Sequence, residues 1–441
     1  MIEIIPVGGY NEVGKNMTAV KIDDEVIILD SGLYLPAVIG FEEEQSLLSP
    51  DELIKIGAIP DDNKIKEWWP KIKAIIISHC HLDHLGAIPY LCSKYKSPIL
   101  GTPYTIEVLK KILNDNNVKL KNKLISKNLN KSFKISNSIK CELINVTHST
   151  LQTAIVVLHT KYGQIVYAND FKLDESPVLE NKTNVQGLKN LKNVKALILD
   201  SLYSEHKTKT PSENIAKQML KEVLLNEEHK GSAIIVTTFS SHIARLKSIA
   251  EFGKRLNRKV IFLGRSLGKY VSAAQNLNLV NFGKNVEIIT WPKQIQKKLR
   301  EIEKNGRSKY LIVCTGNQGE PKSVLSKLIN RIFQFEFLPD DVVVFSCNVI
   351  PTKINLHNRD LMEEKLKRYK VKILKGIHQS GHACGEDMKT LIKLLKPEHL
   401  IPTHGDHDKL IHLSNIAIED LNYEYKKTVH LLNNGDKLII E

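Results

Sequence analysis

Short apolar runs broken by turn residues dominate the first 200 positions. Ile2–Val7, Met17–Ile22 and Val26–Asp30 predict an antiparallel set, with Asp23-Asp24 at the hairpin turn. Ala74–Ser78, Ile155–His159, Gln164–Ala168 and Ala196–Leu199 predict further buried strands. Most of them end where a polar, reactive side chain begins, a common way to build a rigid site. From about residue 200 strands alternate with helices. Helical stretches at Ser212–Leu225 and Ser241–Leu256 flank the strand Ala233–Thr238, and Val260–Leu263, Tyr310–Cys314 and Val342–Phe345 follow. That pattern predicts a parallel α/β unit. After about residue 372 the first style returns, with Lys372–Lys375, a helix at Glu386–Leu395, the strand His399–Pro402 and a final helix. The simplest account is one domain, residues 1–199 and 372–441, interrupted by another, residues 200–371. Helical Leu361, Leu366 and Leu394 read as core, and no internal repeat is present.

Composition agrees with two domains, because 441 residues exceed one ordinary core. The chain is 42% apolar and 25% charged, as in soluble globular proteins. Apolar runs such as Ala74–Ile77 or Ala233–Val236 fall far short of the ~20 residues that cross a bilayer, and no charged-then-apolar leader precedes Ile2. No membrane span or export signal is therefore expected. Cys80, Cys92, Cys141, Cys314, Cys347 and Cys384 are scattered without a CxxC pair, which points to a reducing cytoplasm. Lys+Arg exceeds Asp+Glu by 63 to 49, a net charge of +14. Such an excess suits a polyanionic partner, or a lysine-rich surface laced with ion pairs; charge alone leaves both open.

The most informative segment is Ser78-His79-Cys80-His81-Leu82-Asp83-His84. In an extended stretch alternate side chains share a face, so His79 and His81 converge on one ion, while Cys80 points away. Asp83 and His84 face apart and suit a second ion. A lone histidine is usually structural, but four ligand-type residues within six positions after a buried strand are not. Imidazole with carboxylate favours zinc or manganese over calcium or magnesium. Further ligands should come from other strand ends, where His148, Asp170 and His404 stand. Asp30, closing Val-Ile-Ile-Leu-Asp, suits an acidic residue that orients a ligand histidine.

This ordered set resembles the metallo-β-lactamase superfamily. The resemblance implies an αββα sandwich with one metal on His79, His81 and His148, another on Asp83, His84 and His404, and Asp170 bridging. The large α/β insertion resembles that of the β-CASP nucleases, whose further motifs match Asp200, His382 and His404. Within that group the chain resembles the ribonuclease J family, of the archaeal kind without the extra C-terminal domain of bacterial members. The matching phrases include Gly8-Gly9-Tyr10-Asn11-Glu12-Val13-Gly14-Lys15-Asn16, Thr315-Gly316-Asn317-Gln318-Gly319-Glu320-Pro321 and His378-Gln379-Ser380-Gly381-His382-Ala383. Two departures, Leu202-Tyr203 and Ser241-His242, lie where bacterial members carry asparagine. Two zinc ions (manganese the alternative), single-stranded RNA as substrate and a homodimer through the lactamase-type domain are what the resemblance implies.

Two ions ~3.5–4 Å apart can activate water and clamp both oxygens of a phosphodiester. Asp83 or Asp170 would take the water's proton, and His382, oriented by Asp200, would protonate the leaving 3′-oxygen. His378 and Ser380 can donate to phosphate oxygens, and Gly381 allows close backbone approach. Ser240, Ser241 and His242 open a helix, an anion site that by resemblance takes the RNA 5′-phosphate; alternatively a serine there only caps the helix. Trp68-Trp69 reads as packing more than as a base-stacking platform. The leading expectation is a 5′-to-3′ exoribonuclease preferring 5′-monophosphate ends. An endonuclease of the cleavage-factor type, a small-molecule hydrolase and an inactive RNA-binding scaffold are its rivals.

Overall fold

Runs of Ile, Val and Leu long enough for one strand fold as the sequence predicts. In a computed structural model, which describes residues 1–38, 48–226, 229, 231–350 and 352–441, Ile2–Gly8, Met17–Ile22 and Glu25–Leu29 pair antiparallel. Asp23 makes their turn with φ 51°. From the third strand the sheet continues in parallel through Ile72–Ile76, Ile99–Gly101 and Leu124–Ser126, and Leu438–Ile440 closes the opposite edge. The second sheet has the order His399–Thr403, Val194–Asp200, Gly163–Ala168, Ala154–Thr160, Lys140–Asn145, Ser132–Lys134. Alternate residues of both sheets, among them Ile4, Ile27, Leu143 and Val156, meet in one buried layer. Helices Gly385–Leu395 and His407–Leu421 bury Met388, Leu391 and Leu413 on the far face of the second sheet. Helix Pro103–Asp115 packs on the edge strands of the first.

This compact unit comprises residues 1–175, 180–210 and 381–441, and the other comprises 176–179 and 211–380. The second unit is a six-stranded parallel sheet in the order Val286–Ile289, Lys259–Leu263, Tyr310–Cys314, Ile234–Thr237, Val342–Phe345, Lys372–Leu374. Its four central strands are almost wholly buried, as helices on a parallel sheet require. The expected return to the first unit at residue 372 is displaced, because Lys372–Leu374 hydrogen-bonds to Val342–Phe345. Leu361, expected in the core, is 45% exposed, whereas Leu366 is buried and Leu394 partly so. Helix Lys353–Arg368 turns Arg359, Met362 and Leu366 inward instead, with the Arg359 guanidinium 3.2 Å from the Phe345 ring centroid. Trp68 is buried and Trp69 packs edge-on to Tyr95, so both serve packing.

The strands of the first unit end in unusual backbone. Asp30, Asp170 and His404, each within two residues of a strand end, have φ of 61°, 47° and 54°. Left-handed backbone at a non-glycine residue costs on the order of 1–3 kcal/mol, so the surroundings must enforce it. The Asp30 N–H donates to the Ile76 carbonyl at 2.9 Å, and that of His404 to Gly9 at 2.7 Å.

Candidate metal centre

The strand ends bring one carboxylate into the middle of a ring of imidazoles. Asp170 Oδ2 lies 3.5 Å from His79 Nε2, 3.3 Å from His148 Nε2 and 3.7 Å from His382 Nε2. Its Oδ1 lies 3.2 Å from His84 Nε2 and 3.8 Å from His404 Nε2. Asp83 Oδ2 stands 3.5 Å from His84 Nε2. His81 is the odd one: its Nδ1 faces inward, 3.0 Å from His79 Nε2 and 3.2 Å from His148 Nε2. That orientation follows from its place at the head of the short helix Leu82–Leu85, which also carries Asp83 and His84. Cys80 points away, as expected, to the Thr150 hydroxyl at 3.1 Å.

Five histidines are held from behind through Nδ1. His84 donates to Asp30 at 2.7 Å, His382 to Asp200 at 2.9 Å, His148 to the Gly381 carbonyl at 2.7 Å and His404 to Asn16 Oδ1 at 3.0 Å. His79 Nδ1 meets the Ser78 hydroxyl at 3.1 Å, which in turn donates to Asp30. Carboxylate and carbonyl acceptors put a hydrogen on Nδ1 and turn Nε2 toward the centre, the arrangement of metal-binding histidines. Asn16, Asn169, Tyr167 and Ser78 are parts of this frame that sequence reasoning missed. Asn169 bonds Asn16 and the Tyr167 hydroxyl, which donates to Asp30. Asn16 stands in a motif phrase, beside more conspicuous residues.

The donor set suits cations. Asp170 Oδ1 is buried without a hydrogen-bond partner, which is costly for a carboxylate unless a cation meets it. His79, His81, His148 and Asp170 offer ligand atoms within 4.8 Å of one another, as do Asp83, His84 and His404. Burial first, and the His84 charge second, lower the His79 pKa to about 4; burial likewise holds His81 well down. Both present neutral imidazoles, the form that binds metal. Burial also opposes the charges of His84 and Asp170. The carboxylates of Asp170, Asp83 and Asp30 nevertheless hold His84 up, and His84, His382 and His404 hold Asp170 well down. Burial depresses the His382 imidazolium too, but Asp170 and Asp200 outweigh it and raise its pKa to about 9.

Gly381 sits where only a glycine fits: a Cβ there would lie 2.8 Å from the Ser149 backbone nitrogen. Its neighbours His378 and Ser380 belong to the second unit and are half-buried. Ser240, Ser241 and His242 belong there too, with Ser240 half-buried and the other two buried. His242, not a serine, is the N-cap of the helix Ile243–Arg255. Its Nε2 stands 3.3 Å from the Glu213 carboxylate, which also takes Arg245 bidentately at 2.6 and 2.7 Å. Losing one partner of that buried pair would cost about 3–5 kcal/mol.

Three family matches cover most of the chain. Residues 10–182 match the family described as "Metallo-beta-lactamase superfamily", 231–361 "Ribonuclease J, beta-CASP domain", and 368–430 "Zn-dependent metallo-hydrolase RNA specificity domain". The chain is 43% identical over its whole length to a ribonuclease J of Methanocaldococcus jannaschii, covering 99% of that protein. It is 40% identical to a ribonuclease J of Pyrococcus abyssi, covering 99% of this chain and 96% of the other. A ribonuclease J of Helicobacter pylori is 30% identical over 99% of this chain, which spans 60% of that longer protein. In fold, the chain is similar to a protein of unknown function from Enterococcus faecalis V583, with TM-score 0.66, 16% identity and full coverage of both. On full-length identity of this order, the chain belongs to the ribonuclease J family of β-CASP metallo-hydrolases.

Proposed function

We propose that this metal-dependent ribonuclease degrades single-stranded RNA from the 5′ end, one phosphodiester at a time, and prefers a 5′-monophosphate. The observation that carries the reading is the His382–Asp200 couple, 2.9 Å apart, aimed at a buried histidine–aspartate ring. One zinc ion would be held by His79, His81 and His148 and another by Asp83, His84 and His404, with Asp170 between the two groups; manganese is the alternative. Bound ions there would polarise the phosphodiester and make water acidic near neutral pH. Asp83, whose side chain is 23% exposed against 2% for Asp170, accepts the proton released by the attacking water. His382 gives its Nε2 proton to the leaving 3′-oxygen, and Asp200 holds the ring in that tautomer. The direction of cleavage and the 5′ preference rest on family resemblance and on the polar loop Thr238–His242, which opens a 13-residue helix.

Asn16→Ala removes the acceptor behind His404 and should weaken ion binding about 10–100-fold. Competition with a chromogenic chelator measures it, and unchanged affinity would show that Asn16 orients nothing. A cytoplasmic setting fits the six cysteines, all buried and free. Among the described residues no helix is long and apolar enough to cross a membrane. A homodimer remains the assembly suggested by resemblance, open to sedimentation analysis.

The activity is tested with RNA labelled at either end, carrying 5′-monophosphate or 5′-triphosphate, with Zn²⁺ or Mn²⁺ and His81→Ala as blank. Immediate release of labelled mononucleotide from the 5′ label, faster for monophosphate, is the expected result. Discrete internal fragments indifferent to the 5′ group would make the protein an endonuclease instead.

A further inference from the structure

Seven lysines and no acidic residue lie between Asn116 and Cys141. The segment contains Leu124–Ser126, the edge of the seven-stranded sheet, and Ser132–Lys134, the edge of the six-stranded one. Ile125 and Phe133 of these strands pack on the shared core, so the lysines between and around them form one basic edge of the sandwich. Lys121, Lys123, Lys131, Lys134 and Lys140 are exposed. Among the described residues none of the seven has a carboxylate partner; the nearest ion pairs along the chain involve Glu107 and Glu142.

Two features make this more than a solvated surface. Lys134 stands directly opposite Lys140 in the antiparallel ladder. Like charges at that position repel, and among the described residues neither lysine has an ion-pair partner. The edge is also placed to lead toward the centre. Leu124–Ser126 runs parallel to Ile99–Gly101 and Ile72–Ile76, so Lys127 leaves the sheet at the end that bears His79. Two strand spacings, about 10 Å, separate them across the ladder. Lys140 begins the strand that leads to His148, about 20 Å from the ligand end.

We propose that this lysine edge is an accessory RNA-binding surface, which holds the phosphate backbone of a long single strand outside the active site. The proposal rests on the ribonuclease reading, and its chemistry is counterion release by clustered, unpaired ammonium groups. The alternative is that the lysines only blunt two sheet edges against association.

The test is a variant with Lys121→Glu, Lys123→Glu, Lys131→Glu and Lys134→Glu, beside the corresponding four-glutamine variant, in the full metal-loaded protein. Binding of phosphorothioate RNA of six and of thirty nucleotides is read by fluorescence anisotropy across salt concentrations. The thirty-mer should bind the glutamate variant at least ~10-fold more weakly, and the salt slope should fall by about 3, at ~0.7 per lost phosphate contact. The glutamine variant should fall between the two. Affinity for the six-mer and its hydrolysis (as ordinary RNA) should not change. Equal affinity and slope for the thirty-mer in folded variants would overturn the proposal, and new self-association on gel filtration with unchanged RNA binding would assign the lysines to edge protection. If the unaltered protein binds RNA but cleaves none, the ribonuclease reading fails while the binding comparison still decides this one.

Discussion

Asp170→Ala is expected to strip the centre of its ions and to lower turnover on the order of 10³-fold or more. The carboxylate lies within 3.8 Å of five imidazole nitrogens drawn from both halves of the ring. Several kcal/mol of transition-state stabilisation depends on ions held there, at about 1.4 kcal/mol per tenfold in rate. Elemental analysis of the purified variant gives the metal content, and the end-labelled RNA assay gives the rate. Two ions retained per chain would sink the bridging assignment.

The same substitution has a pH signature in the metal-free protein. Asp170 is held well below the usual carboxylate range, so its stabilisation is present above about pH 4 and lost as pH falls. His84 is held above its usual value, so its stabilisation is full below about 6.5 and lost as pH rises through the raised value. The advantage of the unaltered chain over Asp170→Ala in denaturant titrations should therefore be fullest between about pH 4 and 6.5.

How far the sequence can be read depends on which physical rule each residue obeys. His79, His81, Asp83 and His84 were legible because ligand spacing is local, and their strand ends because buried parallel strands are short and wholly apolar. The Lys372–Leu374 strand was misplaced because pairing partners are non-local: three residues fit either sheet, and only the ladder to Val342–Phe345 decides. Leu361 was misread because the helix turns Arg359, Met362 and Leu366 inward, with the Arg359 guanidinium on Phe345, and leaves Leu361 outside. Asn16 left no periodic signal, since an amide that orients a histidine is defined by its distance to His404 and not by spacing. At Ser241-His242 local sequence left a serine cap and an anion site level; the backbone makes His242 the cap and pairs its ring with Glu213.

His382→Ala should keep both ions yet lose about 10²–10⁴-fold in turnover, the contribution of a positioned proton donor. Its Nδ1 bonds Asp200 at 2.9 Å, its Nε2 faces Asp170 at 3.7 Å, and it belongs to neither group of proposed ligands. An acid must be protonated at working pH, and the two carboxylates see to that by raising its pKa to about 9 against the pull of burial. Activity should therefore fall as pH rises through the pKa of His382. Bound cations would neutralise part of the field of Asp170, which places that limb below 9 and above the ordinary value near 6.5. Asp200→Asn removes one of the two supporting charges while leaving the ring in place. It should move the limb further down and cost less turnover than His382→Ala. A structural role for Asp200 would lower turnover at every pH without moving the limb. Full turnover of a metal-loaded His382→Ala protein would remove His382 from the chemistry altogether.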